Sequence, residues 1–368
     1  MKFLLISPKN RTVYNFRGDL IKKIQSLGYK VYVTGPDQLE IEKVNALGVY
    51  FFEIPMNKTG TSIIGDLTYC LALYRLMKKE KFDASLGYTI KPVIYGSIAA
   101  KFAGIKNINA MVTGAGYLFS STTLKAKLVG LIAKTLYKIG FACPHHIIFQ
   151  NNDDKEEFII SGLASRKKCH VVNGSGVNMD WFQTGEPFPE EITFFMLSRL
   201  LHSKGVMEYL LAAKQVKAQY PQAKFLLLGS YDQLPDSIPK SVIEPYILDG
   251  TIQRFNETHD VRGFYEKCSV YVLPSYREGT PRTVLEAMAM GRPIITTDTP
   301  GCRETVVDGY NGYLVPVRDP NTLAEKMIQF IKQPELINTM GTNSLQLCRE
   351  KFDVDAVNNQ LTQIMNLS

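Results

Sequence analysis

No stretch of this 368-residue chain reaches about 18 uninterrupted apolar residues, so no membrane-crossing helix is expected. The opening Met1-Lys-Phe-Leu-Leu-Ile-Ser-Pro8 is too short an apolar run to read as a secretory leader. The six cysteines (Cys70, Cys143, Cys169, Cys268, Cys302 and Cys348) include no C-x-x-C pair, a pattern that fits reduced, mostly buried thiols in a cytosolic protein. There is no low-complexity run, no nucleic-acid-binding module and no aromatic-basic repeat of the RNA-binding kind.

What is present is ordinary globular composition, 45% hydrophobic and 21% charged. The length suggests two domains of about 150–200 residues each. The net charge of +7 is uneven: residues 1–190 hold 24 Lys+Arg against 15 Asp+Glu, and the remainder 18 against 20. A basic first half implies an anionic membrane, nucleic acid or an anionic substrate as its counterpart.

The most informative stretch runs from Pro274 to Pro293. A short β-branched strand, Ser269-Val-Tyr-Val-Leu273, leads into a loop holding Glu278, Gly279 and Thr280. A helix follows, with Pro281 suited to its first position and Gly291 to its stop, and then a strand over 293–297. The amides of Gly279, Thr280 and Arg282 stand at the helix start, which attracts anions. Glu278 and Glu286, eight positions apart, can bind hydroxyls such as those of a sugar, although Glu286 can also pair with Arg282 one turn earlier.

Elsewhere strands alternate with helices, which argues for doubly wound parallel sheets. Strands read at 2–6 and 30–34, with a helix over 19–27 between them. Residues 7–18 then form a long, basic, aromatic loop at a strand's carboxyl end, making Arg17 and Gly18 candidate ligand-facing residues. Further strands read at 49–54, 83–87, 108–113, 147–150 and 170–172, and helices at 39–47, 63–79 and 93–103. The loop from Thr113 and Gly114 lacks the third glycine of a dinucleotide fingerprint. Residues 122–141 form a basic amphipathic helix with no acidic residue, whose Lys125, Lys127, Lys134 and Lys138 suit an anionic membrane surface. His145 and His146 have no carboxylate or cysteine at ligand spacing, so no metal is expected there, and Asn151 reads as a helix cap. Residues 181–190 read as a linker. After it come a strand at 192–197, Arg199 and Lys204, a helix over 206–219 and a strand at 224–228. Two cations at one strand end can neutralise a diphosphate.

The segment EGTPRTVLE, with AMAMGRPIITTDTPGCRETVVDGYNGYLV after it, closely resembles the nucleotide-sugar site of family 4 retaining glycosyltransferases. The likeness covers roughly residues 190–320 well and the first half more loosely. It implies the GT-B fold, an α/β architecture of two Rossmann-like domains facing a cleft. The acceptor-binding domain spans 1–180 and the nucleotide-sugar domain 191–350, with a C-terminal helix, 351–368, packing back on the first domain. It implies transfer of a sugar with retention and without a metal or other cofactor. Arg199 and Lys204 then hold the donor diphosphate, Glu286 the ribose, and Glu278 with Gly279, Thr280, Pro281 and Arg282 the rest of the donor. Arg199, Lys204 and Glu278 carry the catalysis. Arg17, Gly18, Thr113 and Gly114 line the acceptor side. Many related transferases have a His-Gly pair where Thr113-Gly114 stands.

The expected activity is transfer of an N-acetylhexosamine or galactose from a UDP-sugar to a lipid-diphosphate-linked saccharide, in assembly of bacterial surface polysaccharide or glycan. The enzyme would sit peripherally on the inner face of the cell membrane. A sugar-nucleotide epimerase on the same fold and a non-enzymatic sugar-binding protein are the alternatives.

Overall fold

The computed structural model describes residues 1–57, 62–114, 135–183 and 191–367. The chain divides into two compact units: residues 1–175 together with 354–368, and residues 176–353.

The first unit is built on seven parallel strands: β1 (Lys2–Ile6), β2 (Lys30–Gly35), β3 (Tyr50–Glu53), β4 (Ala84–Tyr88), β5 (Asn107–Val112), β6 (His146–Phe149) and β7 (Cys169–Val171). Their spatial order is β3-β2-β1-β4-β5-β6-β7. The second unit has six: β8 (Thr193–Leu197), β9 (Lys224–Leu228), β10 (Gln253–Phe255), β11 (Val270–Leu273), β12 (Ile294–Thr297) and β13 (Gly312–Val315), in the order β10-β9-β8-β11-β12-β13. Every pairing is parallel; Phe3 lies opposite Val31 and Ala84, and Tyr271 opposite Phe195 and Ile294. The inner strands are near-continuous apolar runs because helices cover both faces of each sheet.

Helices form where the apolar spacing supplies a stripe. Val206–Gln219 buries Val206, Tyr209, Leu210, Ala213 and Val216, a 3.6-residue repeat. Burying such side chains contributes about 1.5–3 kcal/mol for each large one. The helix Arg282–Ala289 buries Val284, Leu285 and Met288, which leaves Arg282 and Glu286 on its other side. The last helix, Val354–Ile364, belongs to the first unit: Val357 and Leu361 join its core, and Asn107 Nδ2 donates to the Met365 carbonyl at 2.6 Å.

One local expectation is corrected. The segment read as a loop over 7–18 is helical from Asn10, in one helix Asn10–Ser26. Val13, Leu20, Ile21 and Ile24 supply its buried stripe, and Gly18 is buried on the same helix, where an added Cβ would meet Leu47 at an ordinary contact distance of 3.5 Å. The segment over 93–103 is helical as read, with its first turn a π-helix, Pro92–Gly96, continued by the α-helix Ser97–Ala103. Asn151 caps the helix Asn152–Ile160 as read, its side chain accepting from the Asp154 amide at 2.7 Å.

Candidate active site

In the second sheet β8 has β9 on one side and β11 on the other. The connections leaving β8 and β11 therefore diverge, and a crevice opens beyond their carboxyl ends. The cations read from the sequence follow β8, and the carboxylate loop follows β11.

Lys204 Nζ and Glu278 Oε1 are in direct contact, and both side chains are largely buried. Arg199 is more exposed and pairs with Asp232 after β9, Nη1 to Oδ2 at 3.4 Å. The Ser203 amide and hydroxyl both donate to Asp236 Oδ2, the amide at 3.0 Å, which fixes the loop ahead of Lys204. The Glu278 amide donates to the Pro300 carbonyl at 3.0 Å. Gly301, with φ +80°, lies against this loop: a Cβ there would fall 2.3 Å from the Glu278 carbonyl oxygen and 2.5 Å from that of Gly279. Thr297 Oγ1 donates to the Ser275 carbonyl, so the loops after β11 and β12 are tied together at their roots.

Pro281 differs from the expectation. Its ψ of 108° is extended, so it caps the helix instead of occupying the first turn, and the helix begins at Arg282. Arg282 Nε lies 3.3 Å from Glu286 Oε1, the i,i+4 pair the sequence allowed. Tyr265 adds a contact the sequence did not suggest, its hydroxyl lying within donating distance of Glu286 Oε2 at 3.1 Å and the Thr283 carbonyl at 2.9 Å. Burial pushes the Glu286 carboxyl above the ordinary glutamate range, opposed by the Arg282 charge and the Tyr265 hydrogen bond.

Tyr276 was also missed. Its amide donates to the Ser203 carbonyl at 2.9 Å, and its hydroxyl donates to Glu208 Oε1 at 2.7 Å. The Arg318 guanidinium lies 4.8 Å from its ring centre, and Arg318 has φ +58°. Tyr276 thus ties the β11 loop to the β8 loop and to the helix after it. Its place two residues before Glu278 was the available signal; Glu208 and Arg318 are too distant in sequence to be found by spacing.

The first-unit candidates are placed differently. Arg17 is 3% exposed, on a helix, with its guanidinium 5.1 Å from the centre of the Tyr88 ring. Tyr88 in turn bonds Ser7 Oγ at 2.6 Å and Thr12 Oγ1 at 2.9 Å. The Arg17 side chain is packed inside this unit, not presented on a loop, and Gly18 is buried beside it on the same helix. Thr113 and Gly114 follow β5 and are partly exposed, with Gly114 at φ +131°. Lys125, Lys127 and Lys134 lie outside the described residues. Lys138 is exposed on the helix over 135–142, whose Tyr137 and Phe141 pack on Phe158. His146 Nδ1 bonds His170 Nε2 at 3.2 Å, and His145 Nδ1 accepts from the Ile108 amide at 3.0 Å.

Residues 2–151 match the family model described as Glycosyl transferase 4-like, and residues 178–346 match Glycosyl transferases group 1. The chain belongs to the GT-B glycosyltransferases. It is similar, at 27% identity over 359 residues, to the N,N'-diacetylbacillosaminyl-diphospho-undecaprenol alpha-1,3-N-acetylgalactosaminyltransferase of Campylobacter jejuni, covering 94% of this chain and 93% of that one. It is also 27% identical, over 82% of this chain and 78% of the other, to the UDP-Gal:alpha-D-GlcNAc-diphosphoundecaprenol alpha-1,3-galactosyltransferase of Escherichia coli. The crystal structure of Anabaena HepE in complex with UDP and glucose superposes with a TM-score of 0.79, at 17% identity, covering 100% of this chain and 99% of that one. In this glycosyltransferase no described helix is long and apolar enough to cross a membrane.

Proposed function

We propose that this glycosyltransferase moves an N-acetylhexosamine or galactose from a UDP-sugar to a hydroxyl of a lipid-diphosphate-linked saccharide, with retention at the anomeric carbon, as in family 4. The observation that carries the reading is the Lys204–Glu278 contact at the switch point of the second sheet, with Glu286 on the adjoining helix. Lys204 and Arg199 stabilise the negative charge that develops on the diphosphate as the sugar–oxygen bond breaks. UDP departs with the bonding electrons, the acceptor oxygen bonds the anomeric carbon, and its proton passes to the departing phosphate. Glu278 holds the transferred sugar, and Glu286 accepts from the ribose hydroxyls. These roles use the protein's own cations and place no metal or other cofactor in the reaction.

The lipid-linked acceptor is supported by the names of the Campylobacter and Escherichia relatives, and UDP by the Escherichia relative's name and the HepE complex. Such an acceptor places the enzyme peripherally on the inner face of the cell membrane, in bacterial surface glycan assembly. The test is thermal stability against UDP, GDP, CMP and NAD, with and without Mg²⁺. A nucleotide at about 100 times its dissociation constant stabilises by roughly 2.7 kcal/mol. The expected result is a shift with UDP, independent of Mg²⁺, followed by transfer from UDP-sugars to lipid-linked acceptors. A shift with NAD alone would sink the reading.

A further inference from the structure

The second sheet ends on β10, an edge strand of three residues whose middle position carries an arginine that reaches across to the end of β9. Arg254 Nη2 donates to the Gly229 carbonyl at 2.8 Å and to Asn256 Oδ1 at 2.9 Å, and the guanidinium lies 4.4 Å from the centre of the Tyr231 ring. The Arg254 Nε and the Tyr231 hydroxyl are both buried and have no hydrogen-bond partner among the described residues. An unmet buried donor on Arg254 is a cost that an apolar side chain there would avoid. The cost points to what Nη2 holds, which is the first residue after β9.

Gly229 opens a segment, 229–238, that is fastened along its length to the loop after β8. There is no room for a Cβ on Gly229, because the Ser198 carbonyl oxygen stands in its place. The Leu200 amide donates to the Ser230 carbonyl at 3.3 Å, the His202 amide to the Asp236 carbonyl at 3.0 Å, and the Ile238 amide to the Leu200 carbonyl at 2.9 Å. Asp232 pairs with Arg199, and Asp236 holds Ser203, next to Lys204. On its other side the segment is tied to β10. The Gly229 amide donates to the Phe255 carbonyl at 3.1 Å, and Ser230 Oγ donates to Glu257 Oε2 at 3.0 Å. Arg254 grips the same glycine from β10 with a charge-assisted bond.

We propose that Arg254 is a positioning residue for the donor diphosphate. It fixes the start of the segment 229–238, and that segment sets Arg199 through Asp232 and the Lys204 loop through Asp236. Arg254 acts through the two cations and needs no contact with the donor. This inference rests on the assignment of Arg199 and Lys204 to the diphosphate made above, and it adds a residue that lies on neither of their loops.

The test is calorimetric titration of the full-length protein with UDP, which presents both phosphates, and with uridine, which presents none. Arg254→Gln should weaken UDP by about tenfold and leave uridine within about twofold, so the gain in affinity from uridine to UDP shrinks. Retained uridine binding reports that the fold is intact, and a residue that only supported the fold would weaken both ligands by the same factor. Tyr231→Leu removes the ring behind the guanidinium and should shift the same ratio in the same direction. Arg254→Lys keeps the charge, but an ammonium cannot reproduce the planar fork, so it should recover only part of the UDP affinity. In an Arg199→Ala background Arg254→Gln should cost less than in the wild type, because one of the two cations it positions is gone. Four results would overturn the role: unchanged UDP affinity in Arg254→Gln, equal weakening of UDP and uridine, full recovery in Arg254→Lys, or the same cost with Arg199 removed. Wild-type protein that binds uridine as tightly as UDP would instead sink the assignment of the cations to the diphosphate.

Discussion

A Cβ on Gly205 would lie 2.0 Å from the carbonyl oxygen of Pro274. That approach joins the loop after β8 to the loop after β11 at their roots. Lys204 precedes the one residue and Glu278 follows the other by four, so the approach brings the ammonium to the carboxylate. Gly205 also has φ +72°, where a side chain is strained. Gly104 separates the two effects, because it has φ +85° with nothing within 4 Å of an added Cβ. Gly104→Ala should cost about 1 kcal/mol, from backbone strain alone. Gly205→Ala should cost about 3 kcal/mol or more in urea unfolding and weaken UDP binding as well. Equal losses in the two variants would mean that the approach is not constraining.

The Lys204–Glu278 pair predicts two different phenotypes. Lys204→Ala removes the cation from the leaving diphosphate and should lower turnover of a UDP-sugar by about 10²–10³-fold, with weaker UDP binding. Glu278→Gln preserves shape and removes charge. It should lower turnover while leaving the UDP dissociation constant within about threefold, because the sugar and not the nucleotide meets Glu278. Calorimetric titration with UDP beside steady-state kinetics checks both. Loss of UDP affinity in Glu278→Gln would remove its assignment to the sugar.

Much of this site was legible because its chemistry is local in sequence. The β11 strand, the Glu278 loop and the helix with Glu286 are contiguous, and the 3.6-residue period marked Val206–Gln219 at its observed ends. What escaped depends on partners remote in sequence. Arg17 read as a loop cation because Asn10, Asn15 and Gly18 weaken the helical pattern, whereas Tyr88 supplies the ring that buries it. The Arg254–Gly229 contact spans 25 positions and crosses from one strand to the end of its neighbour, which no apolar period announces. The helix Lys240–Leu248 carries Pro245 inside it, a residue that argues against a helix in the sequence. The tight approaches at Gly205 and Gly301 are to backbone of other loops, which sequence patterns do not record.

Glu286 makes stability and binding move in opposite directions with pH. Its folded carboxyl titrates above the ordinary glutamate value of about 4.3. Between that value and the raised one, the folded state holds a proton that the unfolded state has lost. Folding is therefore favoured at the acid end of this window and loses that contribution as pH rises through it. Ribose hydroxyls need the ionised carboxylate as acceptor, so UDP binding should strengthen over the same window. Urea unfolding and UDP titration from the ordinary glutamate value of about 4.3 upward give the two slopes. Glu286→Gln should flatten both. A variant that keeps the wild-type pH dependence of UDP binding would show that another group carries it.

Tyr276 predicts a loss that a second mutation repairs. Its hydroxyl donates to Glu208, a carboxylate only 9% exposed whose second oxygen has no partner among the described residues. Burial and the Glu208 charge raise the Tyr276 hydroxyl to about 12, so it stays protonated and donating throughout the working pH range. Tyr276→Phe keeps the ring beneath Arg318 and the amide bond to Ser203, but strands the buried carboxylate. The cost should be about 1–3 kcal/mol. Replacing Glu208 by Leu in that background removes the stranded group and should restore most of the stability, because taking both polar partners away is far less costly than taking one. The coupling energy from the double-mutant cycle should be about 1 kcal/mol or more. UDP affinity should follow stability, falling in Tyr276→Phe and recovering in the double variant, since the bond acts by holding the Glu278 loop and not by touching the nucleotide. Additive losses would place Tyr276 and Glu208 in separate roles.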